Sequence, residues 1–229
     1  MTTLTAPLKR LITSDWKTRF ENFGIYQPMW LGRLVGPFFQ GICLERNSGN
    51  ASYVPTTHVH CLCRDFPVVS LTLAQRLLSS RSGSEEKISA QFHEAHFSEA
   101  SENLRKASLL PLEGSWGLRN LIEAVDSYQK IGNFDAKYPV SLFESIVLAA
   151  AWLGELDQSD ALLAKYETSA AVWPDNILAR CGGHRLWANN LRRLMEHPEK
   201  LRETAEINAS KLKVVQLPKI DMISGNHPQ

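Results

Sequence analysis

Two neighbouring apolar stretches decide the fold: VGPFFQGICLE at residues 35–45 and YVPTTHVHCLC at residues 53–63. Both are rich in β-branched and aromatic residues, which favour extended strands. Asn47-Ser48-Gly49-Asn50 lies between them and is typical of a tight turn. We expect the first strand to begin at Pro37 and to bulge at Gly41.

The remaining N-terminal residues predict how these strands are completed. Phe66 to Leu73 predicts a third strand, and short connections then give an antiparallel meander. Ser14 and Asp15 would cap a short flanking helix that ends at Gly24, because a small bare sheet is marginal in water. The aromatic segment 26–32 predicts a packed loop.

The residues that follow the Ser-rich segment 79–84 are predicted to be helical. Short connections between helices favour antiparallel helical hairpins. The expected helices begin near Ser84, Ser115, Val140, Asp157, Trp173 and Pro198, with Gly154 ending the third and Gly182-Gly183 interrupting the fifth.

Together these patterns predict the α+β class. A β-rich N-terminal part would cover residues 1–80, a helical C-terminal part residues 81–217, and a flexible tail residues 218–229. The two parts could also form one continuous domain.

Composition excludes several function classes. The 229 residues are 44% hydrophobic and 21% charged with a net charge of +1, so no overall field favours nucleic acid or an anionic membrane. We expect no targeting signal at the N-terminus, and the longest apolar run, 146–153, is shorter than the roughly 20 residues that span a bilayer. The four cysteines are then reduced thiols, and we expect a soluble, cytoplasmic protein.

His58 and His60 form the first candidate site. A His-x-His pattern on a strand places both imidazoles on one face, where they could hold a metal ion. A catalytic zinc also needs a third protein ligand, which the sequence does not identify. The same alternation sends Cys61 and Cys63 to the opposite face, where Cys43 could join them.

Two further groups have an ordinary structural interpretation beside a functional one. His93 and His96 share a helix face, but their spacing is one residue short of the His-Glu-x-x-His zinc pattern. Arg185, Arg192 and Arg193 could contact phosphates, although the same helix has the apolar stripe of a half-buried bundle helix.

We expect a non-catalytic protein that binds another protein, because no nucleotide-binding or nucleophile-elbow motif occurs. Immunity or antitoxin proteins, chaperones and defence-system adaptors are the classes considered. The expected contact residues are Tyr26, Trp30, Asn47, Asn50 and Trp116, with both tryptophans predicted to be exposed. We expect no cofactor, no membrane and no nucleic-acid partner. The alternative is a metal-dependent hydrolase or nuclease that uses His58 and His60.

Overall fold

An antiparallel meander forms in the order β1-β2-β3-β4-β5, while β6 pairs with β4 and β7 pairs with β2. The computed structural model describes residues 4–46, 51–131 and 137–224. Within them the strands are Gly24–Gln27 (β1), Trp30–Val35 (β2), Phe38–Arg46 (β3), Ser52–Cys61 (β4), Thr72–Arg76 (β5), Ile88–Ser89 (β6) and Lys219–Ile220 (β7). The helices are Ala6–Arg19 (α1), His93–Ala107 (α2), Leu118–Gln129 (α3), Val140–Leu153 (α4), Leu156–Ala170 (α5), Asp175–Cys181 (α6), His184–Met195 (α7) and Pro198–Lys211 (α8).

The α+β class and the meander with a flanking helix are confirmed. α1 contributes Ile12 and Trp16 to a buried cluster that also contains Leu31, Ile42 and Tyr53 of the sheet. α1 begins earlier than predicted, because the Thr5 side chain accepts a hydrogen bond from the Leu8 amide and caps it.

Two of the three predicted strands are confirmed as β3 and β4. The register of β2 and β3 is continuous through the pair Gly32 and Gly41, so the bulge expected at Gly41 is absent from this pairing. The third prediction is wrong, because Phe66 and Val68 are 51% and 58% exposed and the strand begins only at Thr72.

The predicted loop 26–32 is instead a β-hairpin. β1 and β2 pair in antiparallel register, and Pro28 and Met29 make the turn between them. Met29 has a positive φ of 73°, a conformation that favours glycine and that no sequence rule for methionine would predict.

Contacts divide the chain into two compact units, and the division differs from the predicted one. The first unit comprises Met1–His60, Ser70–Ser115 and Lys213–Asp221; the second comprises Cys61–Val69, Trp116–Leu212 and Met222–Gln229. The Ser-rich segment 79–84 is a turn within the first unit and not a linker. The Ser79 amide donates to the Ser84 carbonyl over 2.8 Å, and Leu78 pairs with Glu85.

The segment from Pro218 is not a frayed tail as far as Ser224. Lys219 and Ile220 pair in parallel with Leu34 and Val35 of β2, because the backbone groups on that side of the strand accept a further strand. Farther along, the Ile223 amide donates to the Trp116 carbonyl over 3.1 Å.

The second unit is helical, and α4 lies at its centre. α4 contacts α3, α5, α7 and α8, and its residues from Leu142 to Ala151 are buried. Its bounds are those predicted, and Gly154 ends it with a φ of 86°. The helix predicted from Ser84 is the exception, since β6 comes first and α2 begins at His93.

None of the helices in the described part of the chain is long and apolar enough to cross a membrane.

Candidate functional site

The β1–β2 hairpin carries the predicted aromatic surface and is anchored firmly at its turn. The Met29 side chain is only 2% exposed. Its amide donates to Thr13 Oγ1 of α1 over 2.7 Å, and its carbonyl accepts from the Leu44 amide of β3 over 2.8 Å. The turn therefore has a fixed position on the first unit.

Three aromatic rings cluster beside this turn. The Tyr26 ring centroid lies 6.1 Å from that of Trp30 and 5.4 Å from that of Phe39. Tyr26 is half-buried, and Trp30 is partly buried against the core. On the same hairpin Ile25 is 50% exposed on β1, which pairs with β2 alone among the described strands. The hairpin thus presents an apolar side chain on an edge strand.

The other predicted contact residues do not join this surface. Trp116 is completely buried, so the prediction that its ring is exposed is wrong. Trp116 immediately precedes Gly117, the N-cap of α3, and its carbonyl accepts a hydrogen bond from the Ile223 amide, so this segment is packed and not an open loop. Asn47 and Asn50 lie outside the described residues.

His58 is buried between aromatic rings on the same sheet. Its ring centroid lies 5.2 Å from that of Trp30 and 5.7 Å from that of Phe39. His58 Nε2 fits against Gly41 because this residue has no side chain. Neither ring nitrogen has a hydrogen-bond partner among the described residues. Burial lowers the pKa of His58 to about 3, and the backbone of Ser70 opposes this shift only in part. His58 is therefore a neutral, enclosed imidazole.

His60 is also buried, but it has a polar neighbour. Its Nδ1 lies 2.8 Å from Ser70 Oγ, and burial lowers its pKa to about 4. Across residues 4–46, 51–131 and 137–224 no group of three or more His, Cys, Asp or Glu side chains could hold a metal ion. Among these residues the His58 and His60 pair has no third ligand of the kind that the hydrolase alternative requires.

His93 belongs to a closed polar network and not to a pair with His96. Trp16 Nε1 donates to Tyr53 Oη over 3.0 Å, and Tyr53 Oη lies 2.7 Å from His93 Nδ1. His93 Nε2 lies 3.0 Å from Asp15 Oδ2. His96, three residues further along α2, is exposed. The network joins α1, β4 and α2 and has no exposed nucleophile.

The arginines of α7 fit the structural interpretation of that helix. Arg192 pairs with Glu167 of α5 over 2.5 Å, and Arg185 and Arg193 are exposed. Trp187, the ring that a base could stack on, is buried and donates its Nε1 to Glu144 Oε1 over 2.8 Å. The helix therefore offers phosphates two exposed arginines without an aromatic platform.

Two of the cysteines interact with each other. Cys61 ends β4 and hydrogen bonds through its thiol with Cys63, two residues further on. Cys43 is buried on β3, where burial raises the pKa of its thiol to about 12. The Cys-x-Cys spacing in the sequence could have identified this thiol pair. No sequence pattern indicated that Ile25 would be exposed on an edge strand.

No protein-family model, no curated protein and no solved structure matches this chain.

Proposed function

We propose that this chain is a non-catalytic protein-binding protein whose contact surface is the β1–β2 hairpin. The observation that carries the proposal is the exposed edge strand β1 with Ile25 at its centre. An edge strand offers backbone groups and side chains to a partner segment, and proteins usually protect such edges unless a partner covers them.

The surroundings of Ile25 support this role. The Tyr26 and Trp30 rings belong to the same hairpin, and aromatic residues are enriched at binding hot spots. The anchoring of Met29 by Thr13 and Leu44 keeps the hairpin in one conformation, which reduces the entropy lost on binding. Immunity or antitoxin proteins, chaperones and defence-system adaptors remain the proposed classes, and the expected cytoplasmic location belongs to the same proposal.

The test compares two glutamate variants at apolar side chains of similar exposure. Ile25→Glu places a charge on β1, whereas Phe92→Glu changes a residue of the same unit that is 54% exposed against 50% for Ile25. Tagged wild-type and variant chains are expressed in the native cells, and co-purifying proteins are quantified by mass spectrometry.

We expect one dominant protein to co-purify with the wild type and with Phe92→Glu, and to fall at least tenfold with Ile25→Glu, since a buried unpaired charge costs several kcal/mol. Equal recovery with Ile25→Glu would remove the proposed surface. A wild-type chain that retains no partner would remove the proposed function. Trp30 is unsuitable for this test, because its packing against the core makes Trp30→Ala a stability variant as well.

A further inference from the structure

Two thiols stand together in the second unit, outside the surface proposed above. Cys61 is the last residue of β4, and Cys63 lies in the turn that follows. The Cys61 thiol hydrogen bonds with that of Cys63 and with the Ser145 side chain of α4. Cys61 is partly exposed and Cys63 is buried. This is the arrangement of an attacking thiol with a resolving thiol behind it.

The turn that follows Cys61 and carries Cys63 is held by α8. Asn208 is 2% exposed, and its Nδ2 donates to the Leu62 carbonyl and to the Arg64 carbonyl, each over 2.9 Å. Next to it, Lys211 Nζ lies 3.1 Å from Asp65 Oδ1. The buried amide therefore fixes the backbone on both sides of Cys63 and keeps the two thiols adjacent.

A side-chain ion pair holds the same turn against α4. The Arg64 guanidinium pairs with Glu144, which also accepts the Trp187 hydrogen bond. The guanidinium places a positive charge beside the thiols, and a nearby cation favours a thiolate.

The two thiols differ in acidity. The hydrogen bond from Cys63 lowers the pKa of the Cys61 thiol, and the Arg64 charge acts in the same direction. The same hydrogen bond together with burial raises the pKa of Cys63. Burial raises the pKa of the two remaining cysteines, Cys43 and Cys181. Cys61 is therefore the thiol that deprotonates first, and it is also the more exposed of the pair.

We propose that Cys61 and Cys63 form a reversible intramolecular disulfide by exchange with a small-molecule disulfide such as oxidised glutathione. Residues two apart are separated by at most about 7 Å between Cα atoms and by less in a turn. Disulfides span Cα separations of about 4.4–6.8 Å, a range that residues two apart can adopt in a turn.

The exchange proceeds in two balanced steps. The Cys61 thiolate attacks one sulfur of oxidised glutathione, the glutathione S–S bond breaks, and one glutathione thiolate leaves. Cys63 then gives up its proton and attacks Cys61 Sγ in the mixed disulfide, which expels the second glutathione thiolate. The protein loses two electrons and two protons, and one disulfide is reduced to two molecules of glutathione.

The full chain is incubated with oxidised glutathione in excess over reduced glutathione, and the remaining thiols are alkylated and counted by mass. We expect two of the four cysteines to escape alkylation. Trypsin cleaves after Arg46 and Arg64, so both thiols fall in peptide 47–64, which should lose two hydrogen atoms. Unmodified thiols in this peptide, or glutathione retained on it, would overturn the proposal.

Serine variants separate the two steps. Cys63→Ser should stop at glutathione bound to Cys61, whereas Cys61→Ser should leave the buried Cys63 alkylatable after unfolding. Cys181→Ser is the matched control, because Cys181 is also partly exposed. Its thiol donates to the Ile177 and Leu178 carbonyls and not to another thiol of the described residues. It should form the disulfide as the wild type does; loss of the disulfide in this control would also overturn the assignment.

Discussion

His58 and His93 are both buried histidines of the first unit, with 2% and 3% exposure, yet their surroundings are opposite. Both ring nitrogens of His93 lie within hydrogen-bond distance of a polar group, Tyr53 on one side and Asp15 on the other. His58 packs against the Trp30 and Phe39 rings above Gly41, and neither of its ring nitrogens has a hydrogen-bond partner among the described residues. A hydrogen-bonded buried polar group supports the fold, whereas an unpaired one lowers its stability.

The first variant removes the hydrogen bonds around His93. Tyr53→Phe removes the hydroxyl group and leaves Trp16 Nε1 and His93 Nδ1 without their partner. Each unpaired buried group costs about 1–3 kcal/mol, so we expect the free energy of unfolding to fall by about 3 kcal/mol in urea titrations.

Tyr166→Phe is the control for Tyr53→Phe. Tyr166 is equally enclosed at 2% exposure, but its hydroxyl has no hydrogen-bond partner among the described residues. Its removal should change stability by less than about 1 kcal/mol. Equal losses in the two variants would show that the hydrogen bonds of the network are not what stabilises it.

The second variant tests how tightly His58 is enclosed. A Cβ added at Gly41 would lie 2.2 Å from His58 Nε2 and 2.8 Å from Phe39 Cε1. We therefore expect Gly41→Ala to reduce the free energy of unfolding by about 2 kcal/mol through overpacking. In a His58→Ala background, where the imidazole is gone, Gly41→Ala should cost much less stability than it does in the wild type. An equal cost of Gly41→Ala in both backgrounds would contradict the contact.

The third variant tests whether the unpaired nitrogens of His58 contribute to stability. His58→Leu replaces the imidazole by an apolar group of similar volume, so stability at pH 7 should change by less than about 1 kcal/mol. A loss of about 3 kcal/mol would instead show that the His58 nitrogens make favourable contacts in solution.

The same variant has a signature in the pH dependence of stability. The folded pKa values of His58 and His60 are lowered to about 3 and about 4, below the usual value of 6.5. Between pH 6.5 and 4 the unfolded chain therefore binds more protons, and wild-type stability falls as the pH falls. Each histidine contributes at most about 1.4 kcal/mol per pH unit, so His58→Leu should reduce the slope by up to that amount.

How much the sequence predicted differs between the units. The bounds of α4 follow from an apolar run and a terminal glycine, both local signals. The hairpin at Met29 depends on distant groups, since Thr13 and the β3 backbone hold a conformation that methionine disfavours. The strand predicted for Phe66–Leu73 was wrong because strand propensity alone does not ensure burial, and Phe66 and Val68 are exposed.

The candidate sites show the same division. The shared strand of His58 and His60 and the Cys-x-Cys spacing are visible in the sequence. The partners that give these residues their character are not, because Asn208 and Glu144 reach the Cys63 turn from helices about 80 or more residues away in the chain. Trp116 was misplaced for the same reason, since the Ile223 segment that contacts its backbone is distant in sequence.

The pairing of β7 with β2 sets an order of events during synthesis on the ribosome. Lys219 and Ile220 complete the edge of β2 at Leu34 and Val35, yet they emerge only after all of the helices from α1 to α8. The edge of β2 at Leu34 therefore lacks this pairing strand while most of the chain is being synthesised. Chaperones that recognise nascent chains would meet that edge long before its own strand arrives.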